Sequence, residues 1–267
     1  MKRGSEMTAE KATAQEATRK VAFAKVLAIQ IIAYVVLVAL ALVPGMMYGD
    51  AAKPAAVPFT IIASLAMVVL LVVFSPFRDG VAGHVIAAIA GLLSAICATT
   101  VMLGNVIFPA GLDGGKSFSM EEAWIAGVGG LLIVLIIVSF GRQMARENRT
   151  HLIRSLSHSV VEGVAMIASA GWCFLPVLLP TTHSRAAAMS AASGATVDMF
   201  SNVTTTWVVA AIVTVLVAVA LTVCSYFWHR DADPEPDARS PWIGLALLLV
   251  MLTGLAVGLA ALAIVVL

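Results

Sequence analysis

Charge is scarce in this chain: Asp, Glu, Lys and Arg make up 12% of its 267 residues, about half of the ~25% usual in soluble domains. That scarcity, with 61% apolar residues and a mean hydropathy of +1.00, excludes a soluble globule. In hydrocarbon every backbone N–H and C=O must be paired within a helix or a closed barrel, and the long unbroken apolar runs select helices. Cysteine is scarcer still. Cys97, Cys173 and Cys224 fall in different apolar runs without CxxC spacing, which excludes a disulfide framework and a sequence-local zinc site and leaves them as small buried packing residues. HExxH, GxSxG and a Walker loop are also missing. The stretch GLDGGKSF at 111–118 copies only the Walker ending, lacks the first glycine at the required spacing, and falls on the external side. No cofactor and no nucleic-acid partner is therefore expected, the chain reads as non-enzymatic, and no metal can be assigned.

At about 20 apolar residues per ~30 Å crossing, the runs predict an all-α, polytopic transmembrane bundle. Its seven helices fall at approximately 24–44, 57–77, 81–108, 123–141, 159–179, 207–228 and 242–267, behind a polar basic segment over 1–23. Residues 24–267 thus form one transmembrane domain. Lys2, Arg3, Lys11, Arg19, Lys20, Lys25, Arg78, Arg142, Arg146, Arg149, Arg154, Arg230 and Arg239 fall on one side of such a bundle, against Lys53, Lys116 and Arg185 on the other. Basic loops stay inside, so the N-terminus is expected in the cytoplasm and the C-terminus outside. The run Val26 to Val38 followed by Ala39-Leu40-Ala41 imitates a signal peptide, whose cleavage would leave six helices. The long polar leader and the continuation of the run to Val43 favour a helix that stays.

No loop is long enough for a separate domain. Residues 181–206 read as a small, polar external connector, and the Asn202-Val203-Thr204 sequon matters only in a eukaryotic secretory route. The segment HRDADPEPDARSP spaces its acids like a calcium loop but lacks the turn glycine and closing Glu, and Pro234 and Pro236 stiffen it. It reads as a solvated linker. Seven helices invite comparison with rhodopsins, but the orientation is inverse and helix seven carries no lysine for a Schiff base.

Ionisable groups in the apolar runs are the strongest functional pointers, since each costs about 2.5–3.5 kcal/mol at a helix centre unless it meets a partner or water. His84 lies near the cytoplasmic start of helix three and Glu162 near that of helix five, with Asn105 towards the outer end of helix three. If 142–173 is one helix, His151, Ser155, His158, Glu162, Ser169 and Cys173 share an arc of about 60° at 100° per residue. Ile153, Leu156, Val160, Val164 and Ile167 oppose them. This predicts a polar stripe facing the bundle and an apolar stripe facing lipid. His158 and Glu162, four apart, can touch, and His229 reaches the same membrane boundary. His84, His158, Glu162 and His229 are therefore the candidate intramembrane polar or proton site, with ligand types that also suit a transition metal. Arg142, Arg146, Arg149 and Arg154 are candidates for contact with anionic lipid or a partner, at about 1 kcal/mol per charge near such a surface.

Packing signals outnumber chemical ones. Gly254 and Gly258 form GxxxG in helix seven, Ala87, Gly91 and Ala95 line helix three, and Gly127, Gly129 and Gly130 thin helix four, patterns that bring helices close in lipid. Three functional expectations follow. The first is a non-enzymatic component of a membrane complex, with a protein partner or a second copy of itself and a basic cytoplasmic loop on lipid or that partner. The second is a small transporter or permease with Glu162 and His158 as gate or proton site. The third is a membrane-embedded metalloenzyme. The Ala- and Val-rich helices suit a multi-pass protein of a cell membrane, such as the bacterial inner membrane.

Overall fold

The computed structural model describes residues 23–42, 52–75, 80–100, 119–145, 152–178, 202–231 and 240–266. Among them lie α1 (Phe23–Leu42), α2 (Ala52–Val73), α3 (Gly80–Thr99), α4 (Met120–Met144), α5 (Leu152–Ser169) with a 3-10 extension (Ala170–Leu178), α6 (Asn202–Asp231) and α7 (Pro241–Val266), and no strand. Six of these are long and apolar enough to cross a membrane, while the apolar part of α2, Pro58–Val73, is shorter. The chain is a polytopic helical membrane protein.

Local sequence explains several boundaries. Ser119 accepts from the Glu122 N–H at 3.2 Å while the Glu122 carboxylate accepts from the Ser119 N–H at 2.8 Å, a capping box that starts α4 three residues before the apolar run suggests. Helix α4 ends at Met144 and is capped at Ala145, and α5 begins at Leu152, so 142–173 is not one helix. Pro176 has no N–H to donate, and in an α-helix its ring would strike the carbonyl four residues earlier. The chain from Ala170 to Leu178 tightens into 3-10 turns instead. The expectation of a third helix reaching 108 is corrected to Thr99, and 101–108, with Asn105, lie outside the described residues. Ser240 takes φ 53 and Pro241 follows at the first helical position of α7, where its fixed φ suits a helix start.

The 156–178 stretch is the centre of the bundle, with 83% of its membrane window buried against 22% for α1 and 11% for α6. Helices α3, α4, α2 and α7 pack around it and α6 lies on α7. The expected lipid-facing stripe is therefore corrected at Ile167, which is as buried as Glu162 and Ser169, while Leu156, Val160 and Val164 stay partly exposed. Cys173 sits in the 3-10 turns. From Ala165 onward the central segment is enclosed on every face, whatever the polarity of its residues.

In lipid the association of helices rests on close packing and hydrogen bonds, because lipid tails are as apolar as leucine. Both are present. A Cβ on Gly171 would strike the Gly254 carbonyl oxygen, one on Gly254 the Ala168 carbonyl oxygen, and one on Gly258 the Trp124 ring. The GxxxG of α7 thus packs within the chain, as do Gly91 against Met166 and Gly127 against Cys97, whereas Gly129 faces open space. Trp172 Nε1 donates to the Val250 carbonyl at 3.0 Å, Ser94 Oγ to the Ile167 carbonyl at 2.7 Å, and Trp124 Nε1 to Ser94 Oγ at 3.1 Å. Ser64 meets Ser169 at 3.1 Å and Tyr34 meets Thr253 at 2.8 Å. Thr60 bonds the Cys173 thiol while Ser64, one turn later, meets Ser169. This reversed order makes α2 antiparallel to α5. Cys97 and Cys173 are buried as expected, but Cys224 is exposed on α6.

Candidate functional site

His84 sits in the second turn of α3 and Glu162 in the third turn of α5. Close contact of the two helices, through Gly91 against Met166 and Ser94 on the Ile167 carbonyl, brings the side chains together. His84 Nδ1 lies 2.8 Å from Glu162 Oε1 and 3.0 Å from Oε2. The carboxylate is 0% exposed and the imidazole 18%, so the histidine is the member reached from outside.

One ring nitrogen shared between two carboxylate oxygens gives a specific chemistry. With a proton on Nδ1 the ring donates to both oxygens; with the proton on Glu162 the acid donates to Nδ1. Either way one proton closes the contact. A buried carboxylate without such a partner would carry a cost of several kcal/mol, so the pair accounts for the acid's place in the bundle.

The surroundings are polar at this end. Ser159 is buried one turn before Glu162, and on α4 Ser139 and Gln143 are buried at helical spacing after Leu135. A Cβ on Gly163 would lie 2.6 Å from the Leu135 side chain, so α4 approaches α5 beside the acid. Ser139 Oγ is buried without a hydrogen-bond partner. Ser139, Gln143 and Ser159 are not among the sequence candidates; the four-residue spacing of 139 and 143 at the end of an apolar run is the available signal.

Of the sequence candidates, His84 and Glu162 are brought together. His158 lies one turn before Glu162 on α5, partly exposed. His229 is on α6 and Arg154 on α5, but their side chains lie outside the described residues, as do Arg146 and Arg149 entirely. Arg142 occupies the last turn of α4. Among the described residues no three His, Cys, Asp or Glu side chains are grouped as a metal site.

No protein-family model, no curated protein and no solved structure matches this chain. The class is defined by the bundle itself, a multi-pass helical membrane protein with a buried acid–imidazole pair.

Proposed function

We propose that the protein acts as a small transporter whose proton site is the His84–Glu162 pair. The observation that carries the reading is the wholly buried Glu162 carboxylate, bonded at both oxygens by a histidine that is partly exposed. Ionisable groups within membrane spans mark ion and proton pathways because their cost is otherwise unrewarded. With one proton the pair clasps α3 to α5. A proton gained or lost at the partly exposed imidazole changes that clasp. His158, one turn away on α5, extends the site towards the surface. Proteoliposomes on a capacitive sensor, jumped from about pH 8.5 to about pH 6.5, will give a transient current from proton binding. Glu162→Gln will remove it. No current from the wild type, or an equal one from the variant, overturns the proposal.

A second reading is a component of a membrane complex, favoured by the 11% burial of α6, which leaves most of a long apolar helix open to a partner. In it Arg142, Arg146, Arg149 and Arg154 rest on anionic lipid or on that partner. Retrieval of the protein alone from gently solubilised membranes would remove this reading.

A further inference from the structure

A groove of about 470 Å³ lies between α1 and α2, with Ile243 and Leu247 of α7 also lining it. Every residue lining it is apolar. It runs beside α1 from Ile29 to Leu40, about 16 Å at 1.5 Å per residue, which matches half of a ~30 Å hydrocarbon core. Its depth is that of one leaflet.

The end at Ile29 and Ile243 is marked by charge. Lys25 lies one turn before Ile29, on the same face of α1, and its Nζ sits 5.7 Å from the centroid of the Trp242 ring, next to Ile243. Lys25 is exposed. Phe23 packs edge-on against Tyr226 at 5.2 Å close by, so this end carries the aromatic residues typical of the headgroup level. An exposed ammonium beside an indole ring, one turn from the end of an apolar slot one leaflet deep, complements a phosphate joined to an acyl chain. The charge singles out lipid over an apolar helix as the occupant, since a helix would leave the ammonium without a counter-charge.

We propose that the α1–α2 groove binds one anionic phospholipid, with an acyl chain between the helices and its phosphate at Lys25 and Trp242. The site is separate from the His84–Glu162 pair and does not depend on its function.

Full-length protein taken from bilayers of equal parts phosphatidylcholine and phosphatidylglycerol, and activated in native mass spectrometry, tests this. The last lipid retained will be phosphatidylglycerol over phosphatidylcholine by about fivefold, the factor one lysine charge supplies near a lipid surface. Lys25→Gln will bring that ratio to about one with the retained lipid still present. Ala66→Phe, on the exposed wall of the groove, will lower retention of both lipids. Equal retention of the two lipids by the wild type, an unchanged ratio in Lys25→Gln, unchanged retention in Ala66→Phe, or a lipid-free dimer each overturns the proposal.

Discussion

The contact of the 3-10 segment with α7 can be tested by adding single methyl groups. Ala substituted at Gly171 would place its Cβ 2.6 Å from the Gly254 carbonyl carbon and 2.9 Å from Trp124 Cη2, besides striking the Gly254 carbonyl oxygen. Nonbonded carbons rest at about 3.5–4.0 Å, so the two backbones must part by about 1 Å. A gap of that size forfeits a quarter to a half of the local dispersion and stretches the Trp172 to Val250 bond from 3.0 Å. Overpacking costs about 1–3 kcal/mol and a weakened buried hydrogen bond about 1 kcal/mol, so Gly171→Ala is expected to lose about 2–4 kcal/mol. Gly254→Ala, whose Cβ would meet Ala168 and Trp172, should lose a similar amount. Both act on one seam, so once the helices have parted for one methyl the second costs less, and the double variant will fall short of additivity. Gly129→Ala, with nothing within 4 Å of its added Cβ, is the control and will be neutral or slightly stabilising. Steric trapping in bilayers measures each difference. Wild-type stability for Gly171→Ala, or full additivity in the double variant, would refute the reasoning.

The other expectations can be checked more simply. Ser94→Ala removes the acceptor of Trp124 Nε1 and the donor to the Ile167 carbonyl; it should cost about 1–3 kcal/mol and alter Trp124 fluorescence. His84→Ala leaves Glu162 buried without its imidazole and should cost about 3–5 kcal/mol, much less when Glu162→Gln is already in place; an equal loss in both backgrounds would refute the pairing. If α2 crosses the membrane, Met46→Cys and Arg78→Cys will be labelled from opposite sides by a membrane-impermeant thiol reagent. An apolar maleimide applied to detergent-solubilised protein should modify exposed Cys224 and leave buried Cys97 and Cys173, as read by intact mass.

Part of the candidate site is legible in the amino-acid sequence. Glu162 and His84 stand out because an ionisable group within an apolar run is costly, and the spacing of Glu162 and Ser169 predicts one polar face of α5. The projection fails where it assumes that the opposite face meets lipid. Ile167 is 1% exposed because α5 is enclosed by α2, α3, α4 and α7. Ser139 and Gln143 do not stand out in the same way, because polar residues at the end of an apolar run also suit a simple interface.

Hydropathy and the scarcity of charge alone determined that the chain crosses a membrane as helices and roughly where the long apolar crossings lie. Lipid imposes those features segment by segment, through backbone pairing and the cost of moving charge. Which helix occupies the centre, which glycines touch, that His84 closes on Glu162, and that a groove opens beside Lys25 were decided only by the tertiary structure. The physical reason is that lipid-facing and helix-facing residues are equally apolar, so depth along the membrane normal leaves its mark on the sequence while lateral neighbourhood does not.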